Sequence, residues 1–192
     1  MTRTSRLLFA ATTVAALTCN FGFAAATTYR IDPVHSSVGF TIRHFFSPVP
    51  ASFTKFSGEI TFDRDNPAND SVVANIDVAS IDTRNQTRDN DLRSPHFFEV
   101  AKFPMATFKS TSWKPTGENT FDVTGDLTLH GVTKPVVLAV KSLGFGPGMQ
   151  GHEISGWEAK TTLNRNDFGI TRYPKMLGDH VPITITIEAD KQ

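Results

Sequence analysis

The chain has 192 residues, with 19 basic and 19 acidic side chains and a single cysteine. A balanced charge gives no electrostatic footprint for nucleic acid, and one cysteine allows neither a disulfide framework nor a thiolate metal centre. The length fits one domain able to bury a sizeable core.

Arg3 and Arg6, the apolar run Leu7–Leu17 and the small residues Ala24-Ala25-Ala26 have the layout of a secretory signal peptide. The sequence therefore predicts a signal over 1–26, cleaved after Ala26, and a mature domain over 27–192. The apolar run is too short for a spanning helix, and no later stretch is apolar enough to be one. Cys19 would leave with the signal. Thr18 precedes it where a lipoprotein signal has a smaller residue, which argues against a lipid anchor. Losing Arg3 and Arg6 takes two from the basic residues and none from the acidic ones, so the mature charge is slightly negative.

Beyond Thr27 the pattern is that of strands. Tyr29 and Ile31 mark the first, closed by Asp32-Pro33. Ser37–His44 alternates cleanly, with Val38, Phe40, Ile42 and His44 on one face. Phe45–Pro50 reads as a connection, because Pro48 and Pro50 cannot donate to a ladder. Phe56, Gly58, Ile60 and Phe62 form the next face, and Asp63–Asp70 is a turn rich in Asp, Asn and Pro. Ser71–Ile81 places Val72, Ala74, Ile76 and Val78 together. Alternation then fails: Thr83–Ser94 is polar and predicts a short helix to about Leu92, with Thr83 as a cap and Pro95 as a stop.

Met105–Trp113 and Thr120–Leu129 are further strands. In the latter Val123, Leu127 and Leu129 oppose Thr124, Asp126, Thr128 and His130. Gly131 gives the freedom of a tight turn, and Val136, Leu138 and Val140 resume the apolar face. Gly144–Gly148 reads as a loop, Trp157–Leu163 as a strand and Asn164–Gly178 as an irregular connection. Pro182–Ala189 is the last strand, with Ile183, Ile185 and Ile187 inward. About eight antiparallel strands predict an all-β fold: a closed barrel with one short helix in a connection. A two-sheet sandwich has the same pattern.

The six histidines show no ligand spacing, and no metal site is predicted. There is no GxSxG, and His35 and Ser36 are strand neighbours pointing to opposite faces. No catalytic residue is assigned, and the chain is read as a non-enzyme. His35 is expected to bond backbone within its turn. Arg84, Arg88, Asp89, Asp91 and Arg93 read as a solvated helix face, with a charged lid over a cavity as the alternative. Arg165 and Asp167 are expected to lock a strand end, with Gly169 in the turn.

Sixteen phenylalanines are many for this length. The inward parity predicts a lumen lined by Phe40, Ile42, His44, Phe56, Ile60, Phe62, Ile76, Val78, Phe108, Leu127, Leu129, Leu138, Val140, Trp157, Ile185 and Ile187. An apolar lumen favours an apolar guest. About ten buried methylenes nominally offer about 8 kcal/mol, the scale of micromolar affinity before ordering costs.

The chain resembles the YceI-like family of bacterial periplasmic lipid-binding proteins. The resemblance rests on Tyr29-Arg30-Ile31-Asp32 with His35-Ser36 and Val38–His44, Phe53 with Phe56-Ser57-Gly58, and Ser80-Ile81-Asp82-Thr83. It continues through Arg88-Asp89, Leu92-Arg93-Ser94, Phe97-Phe98, Phe103-Pro104 and Phe108. Gly125–Lys134 and Asn164-Arg165 with Asp167-Phe168-Gly169 complete it. It implies a lipocalin-like eight-stranded barrel in the periplasm, paired as a homodimer, with an isoprenoid or quinone-like lipid in the lumen and a role in transport or storage. No further cofactor is implied. Asp91 stands where the family often has histidine, His96 where it often has an acid, and Ala51 replaces a frequent glycine. Two other readings remain at this point. One is an enzyme acting on such a lipid, with His44 as first candidate; the other is an interaction or stress-response module with a filled barrel.

Overall fold

The computed structural model describes residues 26–149 and 151–192. The expected signal segment, apart from Ala26, lies outside them. In chain order the described strands are β1 (Thr27–Ile31), β2 (Ser37–His44), β3 (Ser47–Phe53), β4 (Phe56–Phe62), β5 (Ser71–Asp77) and β6 (Ile81–Asp82). Helix α1 (Gln86–Arg93) follows, then β7 (Met105–Gly117), β8 (Thr120–Leu129), β9 (Val132–Pro147), β10 (Glu153–Asn164) and β11 (His180–Lys191).

The ladder runs β1-β4-β5-β7-β8-β9-β10-β11 and closes by pairing β11 with β1. The remaining segments are continuations rather than extra staves. β1 meets β11 at residues 189–191, and β2 meets the same strand further along, at 183–186. β3 then lies beside β2 as β4 lies beside β1, and β6 touches β3 as β5 lies beside β4. Three of the barrel strands are thus broken into two segments each. The result is an all-β, eight-stranded antiparallel barrel, with closure removing the sheet edges over most of its girth.

Each break has a local cause. Pro33 cannot continue the first ladder, and the chain re-enters it through Ser36, whose hydroxyl donates to the Glu188 carbonyl and accepts from the Glu188 N–H, at 3.1 and 3.0 Å. Asp77 accepts from Ala79 N at 3.0 Å, which turns Val78–Ser80 into a 3-10 helix. Thr54 and Lys55 bond to this turn through Ser80 O and Ser80 Oγ. Adjacent strands therefore bend together.

Several expectations are corrected. Residues 47–50 are strand, not connection: Pro48 pairs opposite Arg43 and Pro50 opposite Thr41. On its other side β3 meets only β6, at Ser52 and Phe53, so both prolines sit on an edge where a missing N–H leaves no ladder unsatisfied. The strand expected over 71–81 stops at Asp77. The expected 144–148 loop is strand as far as Pro147, paired with Glu153. The cap of α1 is Asn85, whose side chain accepts from Arg88 N, and not Thr83. The two-residue hairpin between β8 and β9 is as predicted: His130 and Gly131 both have positive φ, 51° and 74°, the pairing demanded by a tight type I′ connection.

One end of the barrel is closed by aromatic rings. Phe62 stacks on Phe145 at 5.4 Å and meets Trp157 edge-on at 5.0 Å and Phe121 at 5.8 Å. Trp113 and Trp157 complete the floor, 6.0 Å apart. Fully burying such a side chain contributes about 1.5–3 kcal/mol, so this plug anchors the fold in the absence of disulfides.

Candidate ligand-binding site

Above the aromatic floor the barrel is not filled. A cavity of about 430 Å³ runs from Trp113 and Trp157 to the end covered by α1, within the range of about 300–1,000 Å³ usual for small-molecule sites. Its walls follow the pleat. β10 contributes Trp157, Ala159, Thr161 and Leu163, and β11 contributes Val181, Ile183, Ile185 and Ile187. Alternate residues over that span extend the wall roughly 20 Å along each strand.

All the predicted lumen residues line this cavity except Phe62 and Val78. Phe62 is turned into the aromatic plug beneath it. Val78 falls in the 3-10 turn, where period-2 parity ends, and is 1% exposed among other core groups. Parity also shifts along β7. Phe108 and Trp113 both line the cavity although they differ in parity, because the register slips between Ser110 and Ser112.

The mouth was less legible. Thr83, Arg88, Asp91, Leu92, Phe97 and Phe98 cover it from the segment around α1, and Ile170, Tyr173, Met176 and Leu177 from the loop before β11. The available signal was the apolar residues set in otherwise polar connections. The solvated-face reading of α1 is corrected at Asp89, while Arg84 and Arg88 are exposed as that reading has them. Asp89 is buried and accepts from Thr83 N at 2.9 Å and from Thr83 Oγ1. Arg88 donates to Thr83 Oγ1 and Thr83 O at 2.8 and 2.7 Å, and Arg93 donates to Ala79 O and Ile81 O at 2.7 Å each. These bonds clamp a charged helix across the opening. Asp91 and His96 lie 3.5 Å apart on the outer side of this cover.

Arg165 holds the second side of the mouth. Its buried guanidinium donates to Gly178 O, Ile170 O and Arg172 O at 2.8–2.9 Å and pairs with Asp179 at 3.0 Å. The expected partner Asp167 is replaced by Asp179, because the 3-10 turn at 165–168 points the guanidinium back into the loop. His44 reaches the rim and is bridged to Leu177. His130 caps the same end, its Nδ1 2.9 Å from Phe168 O.

His35 bonds the Asp32 carboxylate at 2.6 Å rather than backbone. That bond raises the histidine pKa and lowers that of the acid. With Glu188 these form the one His/Asp/Glu group, among the described residues, whose atoms lie within 4.8 Å of one another. It sits away from the cavity and ties the first strand break to β11.

A closed antiparallel barrel with a blind apolar lumen, a ring-lined floor and a polar mouth defines a single-mouthed binding barrel. The chain belongs to the YceI-like family: the YceI-like domain matches residues 29–189. Protein YceI of Salmonella arizonae is 42% identical over 183 residues, covering 94% of this chain and 95% of the relative. The crystal structure of Burkholderia cenocepacia BcnA superposes with a TM-score of 0.77 at 26% identity, over 83% of this chain and 99% of that one. A polyisoprenoid binding domain from Saccharophagus degradans, implicated in plant cell wall breakdown, shares the fold with a TM-score of 0.64 at 18% identity, over 85% and 98% of the two chains.

Proposed function

We propose that the protein is a periplasmic binding and carrier protein for a long apolar lipid, of isoprenoid or quinone-like type, held in the barrel lumen. The observation that carries this is the blind cavity itself. It is walled almost wholly by aliphatic and aromatic side chains; Ser57 and Thr161 are hydroxyls among its lining, and the charged and titratable groups, His44, Arg88, Asp91 and Arg165, gather at the mouth with Thr83. A tail would be desolvated along the strands while a more polar end stays beside α1. The polyisoprenoid-binding neighbour of the same fold supports the same class of guest. The lumen residues predicted from parity are its proposed contacts, Phe62 and Val78 excepted. The open cavity runs against a barrel filled by its own side chains. Export through the 1–26 signal and pairing as a homodimer belong to the same reading.

Native mass spectrometry of protein purified from its own periplasm tests it, reporting ligand mass and oligomeric state together. The expected result is a bound species with the mass of an isoprenoid-type lipid, unchanged after incubation. Empty protein that neither binds added isoprenoids nor melts higher in their presence overturns the carrier reading. Chemical conversion of the lipid would favour an enzyme.

A further inference from the structure

The turn between β2 and β3 presents two aromatic residues to solvent at the cavity mouth. His44 pairs with Ser47, so Phe45 and Phe46 alone make the loop. Phe46 is 98% exposed and Phe45 47%. Phe45 has φ of 49°, a region where a bulky side chain is an unfavourable choice and glycine or asparagine the usual one. The Phe45 ring meets His44 edge-on at 4.8 Å, whereas the Phe46 ring is left to solvent. Beside it lies the loop before β11: Phe45 N donates to Met176 O at 2.7 Å and Gly178 N to Arg43 O at 2.8 Å. That loop adds Tyr173, itself 38% exposed.

Residues 43–53 and 168–178 carry Arg43, Arg172 and Lys175 and no acid, although Asp167 and Asp179 flank the second segment and Asp91 lies at the same mouth; Asp179 is paired with Arg165 and Asp91 with His96. The chain as a whole is balanced, so this corner is a local cationic patch around exposed rings. Aromatic side chains flanked by Arg and Lys are the make-up of a surface that sits at the headgroup–acyl boundary of an anionic bilayer.

We propose that the Phe45–Phe46 tip, with Tyr173 and the cations Arg43, Arg172 and Lys175, docks the barrel mouth on an anionic lipid bilayer. The rings enter the interface and the cations meet lipid phosphates. His44, next to the tip in sequence, lines the cavity, so docking brings the lumen against the lipid and shortens the aqueous path of an apolar guest. The proposal takes the lumen as the lipid site argued above, but docking itself depends only on the tip.

The test is co-sedimentation of the protein, lacking residues 1–26, with vesicles containing phosphatidylglycerol and with vesicles of phosphatidylcholine alone. Wild type is expected to bind the anionic vesicles, less so as salt rises. Phe46→Ser is expected to weaken binding roughly tenfold, and R172E with K175E to abolish the preference for the anionic vesicles. Met149→Ser, an equally exposed apolar residue at the far end of the barrel, is expected to bind as wild type. No binding by wild type, or equal binding by Phe46→Ser and the charge variant, overturns the proposal. So does a wild-type dimer that Phe46→Ser converts to monomer without vesicle binding, which would make the tip a contact between copies. Uptake of an isoprenoid delivered from detergent separates the two ideas. Phe46→Ser should load as well as wild type, and failure of both to load sinks the lumen reading and leaves docking standing.

Discussion

The ring of Phe108 on β7 occupies the space that a side chain would take at Gly125 on β8. A Cβ built there would lie 2.4 Å from Phe108 Cζ and 2.6 Å from Lys109 O. Gly125 has the same parity as Val123 and Leu127, so its missing side chain leaves room for the ring within the cavity wall. Gly125→Ala is expected to destabilise the fold by about 1–3 kcal/mol through overpacking. Chemical denaturation should show a lower midpoint at unchanged slope. A lumen that takes up ligand more weakly as well would show that the displaced ring moves inward.

Ala159 lies on the β10 wall among larger groups and faces open cavity. Ala159→Phe is expected to fold and to lose ligand. Each methylene excluded removes about 0.8 kcal/mol of binding, so displacing two or three weakens affinity by roughly tenfold to a hundredfold. Titration with an isoprenoid probe checks the affinity, and the melting temperature of the unliganded variant checks the fold.

Arg165 satisfies three carbonyls of the 169–178 loop and pairs with Asp179. Arg165→Met leaves those carbonyls without a donor. A loss of about 3 kcal/mol is expected, or roughly 6–12 °C in melting temperature for a domain of this size. Hydrogen exchange should rise first at Arg165 N and Gly178 N, which bond Asp179 O and Arg43 O.

The Asp89–Thr83 contact fixes α1 over the mouth. Asp89→Ala strips the partner from both the N–H and the hydroxyl of Thr83, with an expected cost of about 1–3 kcal/mol. If the helix acts as a clamp on a bound guest, ligand dissociation should quicken more than the loss of stability alone implies. Stopped-flow displacement measures this.

Asp70 gives a pH dependence of defined sign. Burial, foremost, and the neighbouring Asp63 push its pKa up to about 6, against about 3.9 in an unfolded chain. The folded state therefore binds the proton more tightly. The stabilisation is complete below about pH 4 and is lost as pH rises towards 6. It amounts to about 1–2 kcal/mol once screening by nearby water is allowed for. Asp63, Asp32 and Glu153 have lowered pKa values and act in the opposite sense at more acid pH. The difference between wild type and Asp70→Asn isolates the effect: Asp70→Asn should gain relative stability between pH 4 and pH 7, read by denaturation at each pH.

The strands that were legible share one property. In Val38–Ile42 and Ile183–Ala189 every second residue is apolar, because the pleat sends neighbours to opposite faces and one face is dry. The same rule failed where the chain left the pleat. It carried Val78 across a 3-10 turn and let Phe62 stand for wall when it is plug. It also read Pro48 and Pro50 as breakers, since a proline forbids a ladder only where a partner waits on its N–H side. Asp89 looked like a solvated charge because nothing in its own neighbourhood announces that Thr83 will fold over it.

Legible in the amino-acid order alone were the all-β class, the apolar face of the regularly alternating strands, the tight turn at His130-Gly131 and, through the ordered motifs, the family. These are local or periodic properties, set by side-chain direction and turn geometry within a few residues. Only the tertiary structure decided that three strands bend and that one end is sealed by Phe62, Phe121 and Phe145. It alone set α1 and Arg165 around the other end, with Phe45 and Phe46 beside them. Those outcomes depend on pairings between residues far apart in the chain, where a single bulge or turn reassigns every side chain beyond it.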